Sequence, residues 1–252
     1  MKRIIVVAGN PGTGKSRFGM DVEEPIEMWD VENKNTDLQN EYYSEKLINR
    51  KDLLAFDNTF HEDWYATYLN LKKEIDNLIK LGQEVKAKKR DSIGFEWLVV
   101  DGVSPIRNKC MLAKWLHDHS KKITGKPDRK QPNEFEWGDI NDDVRELLFP
   151  LINMTVAGII PNLLFTAEFK DSYESLEVFD ELRGKIIKKS VKSGREPAYS
   201  DYLGYKLYTL LELHTDVKTK KYRVVCTKSL KGIWDADVTD KSVYDVLLSK
   251  GL

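Results

Sequence analysis

Gly9, Asn10, Pro11, Gly12, Thr13, Gly14, Lys15 and Ser16 have the types and spacing to hold a phosphate chain. They fit G-x-x-x-x-G-K-[ST] at each fixed position. The glycines let the backbone curl so that successive N–H groups face an anion, Lys15 reaches the terminal phosphates, and the Ser16 hydroxyl can ligate magnesium. Arg17 follows directly and joins the same ligand-facing segment. The stretch lies between the apolar run Ile4 to Ala8 and a helix start, so a helix N-terminus points at the same anion.

Such a loop needs a second carboxylate to orient the magnesium, normally an Asp ending an apolar strand. The run FEWLVVD, Phe95 to Asp101, supplies Asp101. Hydrolysis also needs a group to position or deprotonate water. Gly102 directly follows Asp101, so that group must come from another element. The segment IEMWDVENK offers Asp30 and Glu32 just past a second apolar run, where the strand ends of a parallel sheet converge on a ligand crevice. Glu32 is the candidate base.

These groups need a scaffold. Apolar runs at Ile4 to Ala8, Pro25 to Trp29, Trp97 to Val100, Asn162 to Thr166, Leu207 to Leu213 and Tyr222 to Thr227 read as buried strands. Helical spacing separates several of them. It spans Trp64 to Leu81 before a stop at Gly82, Asp139 to Leu148 before Pro150, and Asp240 to Ser249, capped by Thr239 or Asp240 and ended at Gly251. The pattern implies an α/β fold with a mainly parallel, twisted sheet covered by helices on both faces. No repeat or linker divides the chain, which reads as a single domain over residues 1–252 with mobile basic loops near 117–136 and 169–202.

Bulk properties add exclusions. A hydrophobic fraction of 41% in 252 residues supports a sizeable core, and a formal net charge of -1 announces neither nucleic acid nor membrane. Cys110 and Cys226 form no C-x-x-C, and His117 with His119 lacks the converging ligands of a zinc site. No stretch approaches the roughly eighteen apolar residues of a membrane span. A cytoplasmic setting is expected.

With these residues in hand, the chain resembles the RecA/RadA recombinase superfamily over most of Lys2 to Lys231. MWDVE is similar to the family's Asp-x-Glu element, with Glu32 as base, and WLVVDGVSPI to its magnesium strand. NLLFTAEFK is similar to the strand ending in a γ-phosphate-sensing Gln, but carries Glu168 there. RVVCTKSLKG resembles the strand whose Lys-x-Lys reaches a neighbouring subunit's ATP, with Cys226 at the first position and Lys228 at the second. The minimal core looks most like the small RecA-like ATPases of phages and archaeal viruses, including single-strand-annealing recombinases; for a viral protein the setting is the host cytoplasm.

The resemblance implies a RecA-like core, ATP and magnesium, catalytic roles for Lys15, Glu32, Glu168 and Lys228, and a homo-oligomer that binds single-stranded DNA. DNA would meet two basic loops. The first holds Lys121, Lys122, Lys126, Arg129 and Lys130, and the second Lys185, Lys188, Lys189, Lys192 and Arg195, with Phe135, Trp137, Tyr199 and Tyr202 nearby for stacking. Two other readings share the phosphate loop: a nucleotide or small-molecule kinase, and a nucleotide-gated adaptor such as a helicase loader with little turnover.

Overall fold

The apolar run after the N-terminus becomes the innermost element because every side chain in it is buried. Strand β1 (Arg3–Gly9) sends Ile4, Val6 and Ala8 into one core and Ile5 and Val7 into the other. At roughly 1.5–3 kcal/mol for each buried Val or Ile side chain, a central position fits this sequence better than an edge. The computed structural model describes residues 3–120, 132, 134–180, 185–197, 209–216, 218–219, 221–229, 231–239 and 241–251.

The described strands continue with β2 (Ile26–Asp30), β3 (Ile48–Asp52), β4 (Ala55–Phe56), β5 (Glu62–Asp63), β6 (Trp97–Asp101), β7 (Asn162–Ala167), β8 (Phe169–Asp180), β9 (Lys185–Pro197), β10 (Thr209–Asp216), β11 (Lys221–Lys228) and β12 (Trp234–Asp237). The main sheet runs β12-β11-β10-β1-β7-β6-β2-β3. It is parallel from β3 to β10, and β11 and β12 join antiparallel. Helices α1 (Lys15–Asp21) and α7 (Val243–Ser249) cover one face. On the other lie α3 (Trp64–Lys86), α5 (Leu112–Ser120) and α6 (Glu134–Ala157), while α2 (Thr36–Tyr42) follows β2. A continuous helical stretch leaves β6 as α4 (Val103–Pro105), a π-helical turn (Ile106–Met111) and then α5. This is the α/β arrangement expected from the alternation of apolar runs and helical spacing.

Register determines what the crevice contains. Asp30 pairs with Asp101, and Asp101 with Thr166, so three polar side chains stand in a row at the carboxyl ends of β2, β6 and β7. The phosphate loop leaves β1 beside them.

Several boundaries differ from the sequence reading, each for a tertiary reason. Gly82 does not end α3, which runs on to Lys86. A Cβ on Gly82 would lie 2.5 Å from Met154 Cε and 3.1 Å from Ile159 Cγ2, so the glycine permits close approach of α6. Pro150 lies inside α6. Its cost of about 3 kcal/mol is offset by burial on both sides, at Ile140, Val144 and Leu148 before it and Leu151 and Ile152 after it. Helix α7 begins at Val243, because the Ser242 hydroxyl accepts from the Tyr244 and Asp245 N–H groups. The stretch 169–202, read as irregular, contains the antiparallel pair β8 and β9.

Candidate nucleotide site

The phosphate loop has the backbone its glycines predict. Gly12 and Gly14 have φ of 78° and 89°, where only glycine is unstrained, and each faces open space where a Cβ would project. Gly9 is required for a different reason. A Cβ there would lie 2.3 Å from Thr13 Oγ1, and that hydroxyl donates to Asn10 O and fixes the curl of the loop. Lys15 Nζ donates to Gly9 O and Asn10 O at 2.9 Å each, which folds the ammonium over the loop. Burial pulls the Lys15 pKa below that of a free lysine, while the nearby Glu168 and Asp101 carboxylates oppose that shift.

Asp101 gathers the neighbouring strands. Its carboxylate accepts from Ser16 Oγ at 2.7 Å, from Asn35 Nδ2 at 2.6 Å and from Thr166 Oγ1. Thr166 Oγ1 in turn accepts from Gly102 N at 2.9 Å. Ser16 and Asp101 thus form the hydroxyl–carboxylate pair that suits magnesium, a cation that takes few protein oxygens and keeps positions for phosphate and water. Gly102 has φ of 111°, and a Cβ there would press on Val31 Cβ at 3.3 Å. A glutamate directly after Asp101 is therefore sterically disfavoured.

The loop after β2 is held from its inner side. Asp30 is buried and accepts from Glu32 N at 3.2 Å and Asn35 N at 2.9 Å. Burial, then the adjacent Asp101, raises its pKa above the usual carboxylate range. Both carboxylates border the crevice, but Asp30 is 1% exposed with each oxygen taken by a loop N–H, whereas the Glu32 side chain is 19% exposed. Glu32 pairs with Lys34 at 2.8 Å and, more loosely, with Lys109 of the π-helical turn at 3.8 Å.

A cavity of about 170 Å³ brings Lys15, Ser16, Glu32, Lys34, Asp101 and Glu168 together. Glu168 is fixed by its backbone N–H, which donates to Ser104 Oγ at 2.9 Å. A second cavity of about 780 Å³ shares Gly12, Lys15, Ser16 and Lys34 with the first and is lined also by Arg17, Asn35, His214, Tyr222 and Arg223. The smaller cavity has room for a phosphate terminus and the larger for a bigger organic group. All nine residues from Gly9 to Arg17 lie on this loop or the first turn of α1.

The other expected site residues lie elsewhere. Lys228 ends β11 opposite Leu210, several residues up the sheet from the Gly9–Leu213 pair beside the loop, so it is remote from its own chain's crevice. Cys226, at the preceding alternate position, is buried. Arg195 donates to Asn10 Oδ1 at 2.8 Å, which ties β9 to the phosphate loop. Lys188, Lys189 and Lys192 are on β9. Lys121, Lys122, Lys126, Arg129, Lys130, Tyr199 and Tyr202 fall outside the described residues. His117 stacks on Tyr65 and His119 on Trp115, and no metal-holding cluster of His, Cys, Asp and Glu occurs among the described residues. Among the described residues, no helix is long and apolar enough to cross a membrane.

Sequence reasoning missed Asn35, Thr166, Ser104 and Lys34. The polar Thr166 inside NLLFTA was the visible signal, since a hydroxyl within a fully buried strand needs a partner.

No family model and no curated protein matches this chain. Among solved structures, it is similar to a KaiC-like protein from the hyperthermophilic archaeon Pyrococcus horikoshii, with 15% identity over 93% of this chain and 84% of that one and a TM-score of 0.42.

Proposed function

We propose that this protein is a RecA-like ATPase that binds ATP with magnesium, hydrolyses it, and couples the cycle to single-stranded DNA as a head-to-tail homo-oligomer. One observation carries the ATPase reading: Lys15, the Ser16–Asp101 pair and Glu32 converge on one small cavity at the carboxyl ends of parallel strands. The loop N–H groups and Lys15 would bind the phosphate chain, and Ser16 with Asp101 would hold magnesium. Bound magnesium neutralises charge on the phosphate oxygens. Glu32 would orient water and take its proton.

Glu168 sets the affinity for the terminal phosphate in this account. A carboxylate facing Lys15 repels an incoming phosphate, so Glu168→Gln is expected to tighten ATP binding about tenfold while changing ADP binding less. Titration of both nucleotides by calorimetry checks this, and equal effects on the two would remove Glu168 from the γ-phosphate position.

The DNA reading rests on the β8–β9 pair, whose second strand carries Lys188, Lys189 and Lys192 and contacts the phosphate loop through Arg195. Single-stranded oligonucleotide is expected to raise ATP turnover severalfold at low salt and to lose its effect as salt rises. Turnover indifferent to DNA, with no shift of a labelled oligonucleotide at low salt, would remove DNA from the proposal and leave the ATPase.

A further inference from the structure

The Glu32 carboxylate, the candidate base, is engaged by two lysines, and the tighter contact lies on the side of the crevice. In this structure Lys34 Nζ sits 2.8 Å from Glu32 Oε2, and Lys109 Nζ lies 3.8 Å from Oε1. The two lysines differ in where they can go. Lys109 is anchored away from the crevice, over the Trp64 ring at 4.3 Å and 4.0 Å from Glu62, and lines neither cavity of the nucleotide site. Lys34 lines both, together with Gly12, Lys15 and Ser16 of the phosphate loop, so it borders the space a phosphate chain on that loop would occupy. Its side chain is 65% exposed against 19% for Glu32, so the flexible lysine stem is the partner that can reorient at low cost.

Resting on the ATPase reading above, we propose that Lys34 is a further catalytic residue, which exchanges its ion pair with Glu32 for the terminal phosphate of ATP and so frees Glu32 to accept a proton from water. The charges favour this exchange. An added phosphate beside Glu32 and Glu168 brings three anionic groups together, and Lys34 lies electrostatically close to Glu32, Glu168 and Asp101. Its backbone is fixed for the task, because Asp30 grips the loop on both sides of it through Glu32 N and Asn35 N. In the resulting step the water oxygen bonds to the γ-phosphorus as the bond from that phosphorus to the β–γ bridging oxygen breaks. The water proton passes to Glu32, the electron pair leaves with ADP, and Lys34 contacts the transferring group. The base is thus released only when a γ-phosphate is present, which protects the protein from acting on ADP-length ligands.

Lys34→Met tests this, with Lys34→Arg and Lys109→Met alongside. Binding of ADP and of the non-hydrolysable β,γ-imido analogue of ATP is measured by calorimetry, and phosphate release from ATP by single turnover. Lys34→Met is expected to bind ADP as the wild type does, to bind the analogue about tenfold more weakly, and to hydrolyse ATP about a hundredfold more slowly. Lys34→Arg should recover much of both losses, and Lys109→Met should keep the wild-type preference for the analogue over ADP. The proposal is overturned if Lys34→Met retains that preference or turns over ATP at the wild-type rate, or if Lys109→Met loses the preference equally. Failure of the underlying reading looks different: the wild-type protein itself would bind neither nucleotide.

Discussion

Glu32→Gln protein is expected to bind ATP with near wild-type affinity and to release phosphate about a thousandfold more slowly, the middle of the range for loss of a general base. Glutamine keeps the shape of the side chain and can still meet Lys34, so binding is spared while proton acceptance is lost. Asp30 and Asp101 cannot substitute. Asp30 is buried and spends its oxygens on the Glu32 and Asn35 N–H groups, and Asp101 is committed to Ser16, Asn35 and Thr166. Glu168 reaches the same cavity, so Glu168→Gln serves as the control: it should alter affinity more than the chemical step. Single-turnover phosphate release beside calorimetric titration separates the two effects.

Asp101→Ala is expected to damage both the fold and the site. It leaves Asn35 and Thr166, 2% and 1% exposed, without their acceptor, and each buried orphan costs about 1–3 kcal/mol. Relief of the repulsion between Asp101 and buried Asp30 offsets part of this. A net loss of about 2–4 kcal/mol lowers the melting temperature by roughly 5–15 °C in a chain of this size. Magnesium should also cease to enhance ATP binding. Asp101→Asn keeps an acceptor oxygen, so it should lose the magnesium effect with a smaller loss of stability. Thermal denaturation and ATP titration with and without magnesium check the pair, and an Asp101→Asn protein with full magnesium dependence would move the metal elsewhere.

The parts of the site legible in the sequence were those written in contiguous residues. GNPGTGKS fixes its own backbone through glycine, and the short, β-rich apolar runs of β1, β6 and β7 read as buried parallel strands. Asp101 and Glu32 were legible because strand ends in such a sheet converge. The row of Asp30, Asp101 and Thr166 was not, since it depends on register between strands far apart in sequence. The β8–β9 pair was hidden for another reason: KDSYESLE and KIIKKSVKSGRE are rich in charge and lack the apolar run by which the other strands announce themselves. Pro150 misled because local propensity yields to packing in a helix buried on both sides of the break, and Gly82 because its missing Cβ serves the approach of Met154 rather than a helix end.

The measurement that bears most directly on this account is phosphate release from ATP by the purified full chain in the presence and absence of magnesium, with Lys15→Met as the paired variant. Magnesium-dependent release by the wild type, lost in Lys15→Met together with nucleotide binding, is the predicted result. Absence of nucleotide binding by the wild type, or equal release by the two proteins, would contradict it.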